Sequence, residues 1–330
     1  ADLGGVTTRL DQVGNSDGAL SNRNMVLNGS MAVAQRGTSQ TNSSYGSVDR
    51  WYIYSSGGTF TQETSSPPEG FSRYLTCTSA TGSVIVSQSI ELPATGSAGV
   101  FYNGQTITIS YYAKSTSAGD ALYNPISFRN GITSITDLVS VESDSSDTNV
   151  LTTSWARYSK TYTIGVNLNS SNTCLVIQPR TNGAPSGDIS ITGVQLEVGD
   201  TATPFEHISY GDQLQKCQRY YYQKDYTINT YEPIKFPCWF GSTQTLTGEW
   251  VHPVTMRVPP TFSHNGVGNF RLNDSRGNDQ VCDSITRTGG NVNETWLTFG
   301  GVNTSFTIGY CGYLNTQAAN DAQITFDAEL

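Results

Sequence analysis

The sequence is poor in charge and in histidine, and it contains no long apolar run. Of its 330 residues, 14% are charged and three are histidines. No apolar run approaches the roughly 20 residues that a helix needs to span a bilayer, so we expect no membrane insertion. The 18 basic residues are outnumbered by 27 acidic residues and form no block, which argues against a nucleic-acid partner. The net charge of −9 also disfavours binding to anionic lipid.

The usual catalytic motifs are missing as well. The sequence has no G-x-S-x-G elbow, no P-loop and no dinucleotide fingerprint. The histidines that could act as bases are His207, His252 and His264. Each is more typical of a structural or surface position than of a catalytic one. We therefore expect no catalytic residue, no cofactor and no enzymatic activity.

Cysteine usage gives no sign of a metal site. The six cysteines are Cys77, Cys174, Cys217, Cys238, Cys282 and Cys311. None forms a CxxC pair, and none lies at metal-ligand spacing from a histidine. We expect buried, reduced thiols, and one or two disulfides formed after release from the cell are the alternative. The acidic stretch 142–147 matches no EF-hand loop and is interpreted as a solvated loop, so no metal is expected.

Glycine, small polar residues and tyrosine are abundant. The chain contains 33 Gly and 18 Tyr. Thr and Tyr fit pleated surfaces, while Gly and Asn supply turns. A hydrophobic fraction of 36% is adequate for thin β-sandwiches, whose strands bury one face and expose the other. The composition therefore predicts an all-β protein.

Alternating apolar and polar residues mark the expected strands. In the first half these are residues 49–54, 83–91, 106–113, 155–164, 174–178 and 188–197. In the second half they are residues 226–231, 236–241, 246–252, 279–284, 295–299, 306–310 and 323–326. The clearest is 106–112, where Ile107, Ile109 and Tyr111 share one face and threonines share the other. Many short strands separated by turn signals predict a sandwich of the jelly-roll type.

One segment interrupts this pattern with helical spacing. Ser209 and Asp212 have the separation of a helix N-cap pair, and Leu214, Cys217 and Tyr221 then follow three and four residues apart. A single short helix must place its apolar stripe against a domain or against copies of itself. The candidate subunit-interface residues are Leu214, Cys217, Tyr221 and Tyr222.

These patterns divide the chain into four segments. Residues 1–21 are an N-terminal arm or tether, 22–205 a jelly-roll-like β-sandwich, 206–222 a linking helix, and 223–330 a second, smaller β-sandwich. On composition alone the arm is equally well described as a disordered tail. The chain opens at Ala1 without a signal-peptide pattern, as expected for a nearly complete gene product or for a trimmed one.

Five stretches, in order, resemble the tail-fibre and related virion fibre proteins of marine and cyanobacterial bacteriophages. They are Asn22-Arg-Asn-Met-Val-Leu-Asn-Gly-Ser-Met-Ala-Val-Ala-Gln-Arg-Gly-Thr38, Val48-Asp-Arg-Trp-Tyr52, Ala202-Thr-Pro-Phe-Glu-His-Ile-Ser-Tyr-Gly-Asp-Gln-Leu-Gln-Lys-Cys-Gln-Arg-Tyr-Tyr-Tyr222, His252-Pro-Val-Thr-Met-Arg-Val-Pro-Pro-Thr261 and Asp327-Ala-Glu-Leu330. Together they cover roughly residues 22–330. The long repetitive shaft of large tail fibres is absent, which favours a fibre tip, a short spike or a small head fibre.

The resemblance implies a non-enzymatic virion protein that is assembled in the bacterial cytoplasm and forms a homotrimer. Its first domain would have a fold similar to carbohydrate-binding modules. The arm would hold other virion proteins of the tail or capsid, and the second domain would bind bacterial surface polysaccharide. Repeated weak sites on one assembly would supply avidity.

Aromatic residues are the candidates for such binding, because sugars present apolar C–H faces ringed by hydroxyls. The candidate glycan-binding residues are Trp239, Phe240, Trp250 and Trp296. Trp239 and Phe240 are adjacent in sequence, so one of them is expected to face away from the core. Trp51 and Trp155 are expected to lie in the core.

Two other functions stay open from sequence. The chain could decorate the capsid or form a head fibre without contacting a receptor. It could also be a surface-polysaccharide depolymerase, although such spikes usually rest on a long repetitive β-helix that this sequence does not contain.

Overall fold

The computed structural model describes residues 23–54, 57–92, 101–131, 139–165, 172–226, 233–234, 236–274, 276, 278–301, 306–316 and 321–329. The expected N-terminal arm, 1–21, lies outside these residues. The chain divides into two compact units, unit 1 ending at Gln213 and unit 2 comprising Leu214–Glu329. Each unit is built of antiparallel strands.

Unit 1 contains a six-stranded and a five-stranded sheet. In spatial order the first comprises β1 (Ser39–Gln40), β3 (Thr59–Glu63), β4 (Tyr74–Thr78), β13 (Ile189–Val198), β6 (Thr106–Ser115) and β11 (Ala156–Thr163). The second comprises β2 (Tyr52–Tyr54), β5 (Ile85–Glu91), β12 (Cys174–Ile177), β8 (Ile126–Arg129) and β9 (Val139–Glu142). A short ladder joins β7 (Ala121–Leu122) and β10 (Asn149–Val150).

The inner faces of these two sheets share one hydrophobic core. Ile107, Ile109 and Tyr111 of β6 are fully buried, as predicted, and they belong to the same cluster as Leu175 and Ile177 of β12. The chain passes repeatedly between the sheets, which is the pattern of a jelly-roll-like sandwich. The all-β sandwich prediction is therefore confirmed.

A bulge in β13 shifts its alternation. The register to β6 slips between Thr192 and Gln195, so the inward-facing series runs through Ile191 and then Val194 rather than every second residue. Gly193 has φ +62°, and a β-carbon there would lie 2.6 Å from Cζ of Phe71. Only glycine fits both the left-handed backbone and the aromatic neighbour.

The first two virion-fibre-like motifs bind each other inside unit 1. Trp51, fully buried as predicted, donates its indole N–H to the carbonyl of Asn28 at 3.0 Å. The Asn28 amide donates to the carbonyls of Val33 and Asp49 and accepts the backbone N–H of Val33. These motifs are therefore structural in this unit. Trp155, by contrast, is half-exposed rather than in the core, and its indole N–H bonds the carbonyl of Ser66.

The helix α1 (Tyr210–Gln218) begins where the sequence predicts. The Ser209 hydroxyl accepts the backbone N–H of Asp212 at 3.1 Å and donates to its carboxylate at 2.7 Å. The helix ends earlier than expected, however, because Tyr221 and Tyr222 belong to a strand that pairs with Asp327 and Phe326. The prediction of a helix to residue 222 was wrong.

Unit 2 also contains two sheets. In spatial order the three-stranded sheet comprises β14 (Tyr221–Tyr226), β23 (Ala322–Asp327) and β18 (Thr261–His264). The seven-stranded sheet comprises β15 (Pro233–Ile234), β22 (Gly312–Thr316), β19 (Phe270–Asp274), β20 (Asp279–Gly290), β21 (Glu294–Gly301), β17 (Thr245–Val251) and β16 (Cys238–Phe240). A 3-10 turn spans Val267–Asn269. Phe240, Phe299, Ile324 and Phe326 belong to one buried core drawn from both sheets.

One expected strand of unit 2 is not formed as predicted. The described part of 306–310 is a turn, in which Gly309 has φ +84°. The prediction of a strand over 226–231 falls on residues outside the described ones, except for Tyr226, which belongs to β14. Among the residues described, no helix has the length and apolar character needed to cross a bilayer.

Candidate functional site

Three neighbouring strands of unit 2 carry the residues predicted to bind sugar. β16, β17 and β21 lie side by side, and their side chains alternate between core and solvent. We call the solvent-facing set the tryptophan face. It consists of Trp239, Thr247, Glu249, Glu294, Trp296 and Thr298.

Two of the four predicted aromatic residues are accessible on this face. Trp239 is 48% exposed and Trp296 is 50% exposed. Phe240 and Trp250 point to the opposite side of the sheet and are buried in the core. Neither ring lies on this face, although Trp250 lines the pocket beside it. As expected from alternation, one of the adjacent rings Trp239 and Phe240 faces outward.

The strand register fixes the relation between the two exposed indoles. Trp239 pairs with Thr247, and the next outward residue on that strand, Glu249, pairs with Trp296. The two tryptophans are therefore two strands and one outward step apart, a diagonal of about 12 Å between Cα atoms. A ligand that touched both rings would have to be an oligosaccharide rather than a single sugar.

The ring of Trp296 is held in place from two directions. Its Nε1 donates to a carboxylate oxygen of Glu294 at 3.2 Å. Its fused ring lies over Gly289 of β20, where a β-carbon would come within 3.5 Å of Cε3. With one side of the indole covering a glycine and half of the residue exposed, the ring forms a flat, preset platform.

Two carboxyl groups flank this platform. Glu249 and Glu294 are close enough for hydrogen bonding and like charge between their carboxyls to raise the pKa of Glu249. Thr247 and Thr298 add hydroxyls that lie 3.1 Å apart on the neighbouring strands. The face thus combines exposed aromatic rings with several hydrogen-bonding groups.

A shallow pocket of about 250 Å³ adjoins the tryptophan face within unit 2. Glu249 and Val251 line one side, and Tyr222, Lys224 and Tyr226 of β14 line the other. The Lys224 ammonium lies 5.5 Å from the centre of the Tyr226 ring. The pocket therefore extends the face with an amine and further aromatic surface.

Two of the three histidines pack against neighbouring side chains in different ways. His252 is buried, its Nε2 lies 3.1 Å from the Thr295 hydroxyl, and burial lowers its pKa to about 4. Thr295 is itself fully buried, so a substrate has no access to this pair. His207 packs against Phe205 and Phe71. Within the described ranges, no group of three or more His, Cys, Asp or Glu residues could hold a metal ion.

The cysteines are free thiols. Cys77, Cys174, Cys217 and Cys282 are buried as expected, and Cys238 is half-buried. Cys311 is exposed, contrary to the expectation for all six. The backbone of Cys311 pairs with that of Trp239 in an isolated antiparallel β-bridge. The exposed thiol therefore lies beside one end of the tryptophan face.

The candidate subunit-interface residues differ in how much of their side-chain surface is accessible to another copy of the chain. Cys217 and Tyr221 are buried within the single chain, and Tyr222 stacks on Phe326 with ring centres 6.0 Å apart. Leu214 is half-buried. Leu214 is therefore the member of the set with the best-placed apolar surface for self-association.

Unit 1 carries a second surface that sequence reasoning missed. On the outer side of the five-stranded sheet, aromatic and polar side chains from β2, β5, β8 and the segment that follows β12 lie in adjacent rows. We call this set the tyrosine–arginine face. It consists of Tyr52, Tyr54, Ser87, Arg129, Gln178 and Arg180. No local motif marks it, because its members come from segments up to 128 residues apart.

Comparison with known proteins finds likeness in structure but not in sequence. No protein-family model matches the chain, and no curated protein matches it. Several solved structures resemble about half of it. A protein from Bacteroides thetaiotaomicron VPI-5482, described as a candidate sugar-binding protein, has a TM-score of 0.37 and 13% identity, covering 53% of this chain and 100% of its own.

Two further structures are a phage protein and a xylan-binding domain. The enzymatically active domain of tailspike protein 4 from bacteriophage CBA120 has a TM-score of 0.34 and 14% identity, covering 54% of this chain and 22% of its own. The CBM22-1 xylan-binding domain of Paenibacillus barcinonensis Xyn10C has a TM-score of 0.33 and 17% identity, covering 50% of this chain and 94% of its own. At these values the likeness says nothing about the ligand or activity of this chain.

Proposed function

We propose that this protein is a non-enzymatic phage virion subunit, part of a fibre or spike, that binds glycans on a bacterial surface through the tryptophan face. The observation that carries the proposal is the exposure of Trp239 and Trp296 on one side of one sheet. Burying such rings would stabilise the unit, since each offers a large apolar area. Their exposure, with one ring fixed flat, supports a role in contact with a ligand.

The chemistry of the face suits a sugar chain. An indole contacts the C–H side of a pyranose, while carboxylates and hydroxyls beside it bond the sugar hydroxyls. Glu249, Glu294, Thr247 and Thr298 supply such groups around the two rings. The separation of Trp239 and Trp296 favours a ligand of several sugar units, as in a polysaccharide.

A single face of this kind would bind weakly, so the proposal includes assembly. A homotrimer, attached to other virion proteins through the N-terminal arm, would present three faces to repeated surface glycans. The resemblance of five sequence motifs to virion fibre proteins supports this setting. Head-fibre decoration without a receptor is the rival assignment.

Glycan-array screening of the intact protein tests the binding proposal. We expect retention of one class of bacterial surface oligosaccharide. Calorimetry with that glycan should then show affinity reduced roughly tenfold by Trp239→Ala and by Trp296→Ala. Tyr313→Ala is the matched control, because Tyr313 is 42% exposed in the same unit but outside the face. Undiminished affinity in the double tryptophan variant would refute the assignment of this face.

Measuring the size of the polysaccharide after incubation distinguishes glycan binding from depolymerase activity. Retaining glycosidases use two carboxyls about 5 Å apart, and Glu249 and Glu294 are the neighbouring carboxyl pair on this face, so they are the residues to test. Incubation with host polysaccharide should leave its chain length unchanged. Shortened products that disappear in Glu249→Gln would contradict the non-enzymatic proposal.

A further inference from the structure

The outer side of the five-stranded sheet in unit 1 is inaccessible at its centre, where Cys174 and Val176 of β12 form a small apolar cluster with Tyr45 and Tyr52. Buried polar residues lie beside this cluster. Ser87 and Ser89 are fully buried, and Ser127, Gln178 and Arg129 are 4%, 6% and 9% exposed. Outward-facing residues of a one-sided sheet are normally solvated. At the edge, Tyr52 and Tyr54 are half-exposed. The face therefore has a floor of buried polar residues beside a small apolar cluster, with the two tyrosines at its edge.

Hydrogen bonds fix the floor. The Arg129 Nε donates to the Ser127 hydroxyl at 2.7 Å, and its NH2 group donates to the Gln178 amide oxygen at 2.9 Å. The Gln178 amide nitrogen then donates to the Ser87 hydroxyl, also at 2.9 Å. This chain of bonds crosses three strands, so the floor is set before any ligand arrives.

Strand register places Arg180 at the open end of this floor. The backbone of Arg180 forms isolated β-bridges with Ile85 on one side and with Tyr123 on the other. Ile85 in turn pairs with Tyr54 in the strand ladder. One row across four segments is thus Tyr54, Ile85, Arg180 and Tyr123. In the next row, Tyr52 pairs with Ser87, which bonds Gln178.

The guanidinium group of Arg180 forms no ion pair with an acidic side chain among the described residues. Its charged group lies 5.4 Å from the centre of the Tyr123 ring, and its Nε has no hydrogen-bond partner. It is close enough to Arg129 for the two charges to repel. Arg129 already bonds Ser127 and Gln178, so an anion bound by Arg180 would reduce the repulsion between the two guanidinium groups.

We propose that the tyrosine–arginine face is a second glycan-binding site, in which Arg180 binds the carboxylate of an acidic sugar while Tyr52 and Tyr54 contact its ring. Guanidinium groups hold carboxylates in a bidentate manner. Tyr52 and Tyr54, with ring centres 4.7 Å apart, offer adjoining aromatic surface one strand beyond Ile85. The ligand class is therefore a uronic-acid-containing polysaccharide. The site is confined to unit 1 and does not depend on the tryptophan face.

Calorimetry with the full chain tests this assignment, using alginate oligosaccharide and its carboxyl-reduced counterpart as probes. We expect the intact protein to prefer the acidic probe. Arg180→Gln should weaken binding of that probe by roughly tenfold to a hundredfold and should abolish the preference. Arg276→Gln is the matched control, because Arg276 also stacks on a tyrosine, Tyr310, at 4.4 Å. Thermal melting confirms that each variant is folded.

The outcomes distinguish the two faces. Loss of acidic-probe binding in Arg180→Gln but not in the Trp239→Ala, Trp296→Ala double variant supports the second site. The opposite pattern would overturn it and leave the tryptophan face as the binding surface. Equal affinity of intact protein for acidic and reduced probes would also overturn it. Tighter Arg180-dependent binding of dextran sulfate than of alginate would replace carboxylate with sulfate as the recognised group.

Discussion

The indole N–H of Trp296 donates to the carboxylate of Glu294, two residues earlier on the same strand, while the ring covers Gly289 of the adjacent strand. An exposed tryptophan with these two restraints keeps one orientation without a ligand. Such preorganisation reduces the entropy lost on binding.

Gly289→Val should therefore weaken glycan binding by the tryptophan face. A branched side chain at this position would lift the indole away from the sheet, and we expect roughly a tenfold loss of affinity, equivalent to about 1.4 kcal/mol. Tryptophan fluorescence and calorimetry provide the measurement. Gly289→Ala is the control, since its β-carbon would make ordinary contact at 3.5 Å. Equal losses in both variants would contradict the proposed role of ring orientation.

Thiol reactivity should distinguish Cys311 from the other cysteines. Burial raises the pKa of Cys77, Cys238 and Cys282 to about 12, and the thiolate is the reactive form. At pH 8 we expect one rapidly reacting thiol per native chain with a chromogenic disulfide reagent. Cys311→Ser should remove that phase, whereas Cys77→Ser should not. A rapid phase that persists in Cys311→Ser would contradict the assignment.

Stability should fall between pH 6.5 and pH 4 because of His252. Burial lowers its folded-state pKa to about 4, with Arg287 adding to the effect and Glu294 opposing it. The unfolded chain binds a proton near the ordinary pKa of 6.5, whereas the folded chain resists it. The contribution is therefore complete above pH 6.5 and is lost as the pH falls towards 4.

Denaturation at a series of pH values measures this loss. His252→Gln should flatten the profile across the window. His264→Gln is the comparison, because burial also lowers the pKa of His264 but that side chain is less deeply buried. An unchanged slope in His252→Gln would show that other groups control acid stability.

Asn28→Ala should destabilise unit 1 by about 2–4 kcal/mol. The substitution removes side-chain bonds to Val33 and Asp49 in a buried site, and it places alanine at φ 54°. Chemical denaturation measures the change. Asn42→Ala is the control, since Asn42 is exposed, and it should alter stability by less than about 0.5 kcal/mol. Similar effects of both would refute a structural role for the Asn28 network.

Leu214→Asp should lower the molar mass of the assembled protein. If helix α1 contributes to a trimer contact, a carboxylate at this half-buried position would oppose association. Light scattering measures the mass, and Gln215→Asp, on the exposed side of the same helix, is the control. An unchanged mass in Leu214→Asp would exclude this residue from the contact.

Strands with strong alternation could be predicted from the sequence. β6 begins at Thr106 as expected, and β17 and β21 each fall within one or two residues of the predicted bounds. Local pattern failed where a distant partner decided the outcome. Tyr221 continues the helical spacing of Leu214 and Cys217, yet backbone pairing with a residue about 100 positions later holds it in a strand.

The candidate sites were likewise predictable only where local alternation decided which side chains face outward. Alternation predicts that one ring of the pair Trp239 and Phe240 faces outward, but it does not say which. The tyrosine–arginine face gave no signal, because β2 has three residues and Arg129 and Arg180 are brought near it by long-range pairing alone. Contacts of this kind depend on register between strands, which one sequence does not specify.

Both sheets of unit 1 receive their central strand late in the chain. β12 lies between β5 and β8, and β13 lies between β4 and β6. During synthesis those earlier strands emerge from the ribosome without the neighbour that will join them, leaving unpaired edges. Unit 1 can thus close only after residue 198 has been made, so slow translation near that point would prolong exposure of the nascent chain to aggregation or to chaperones.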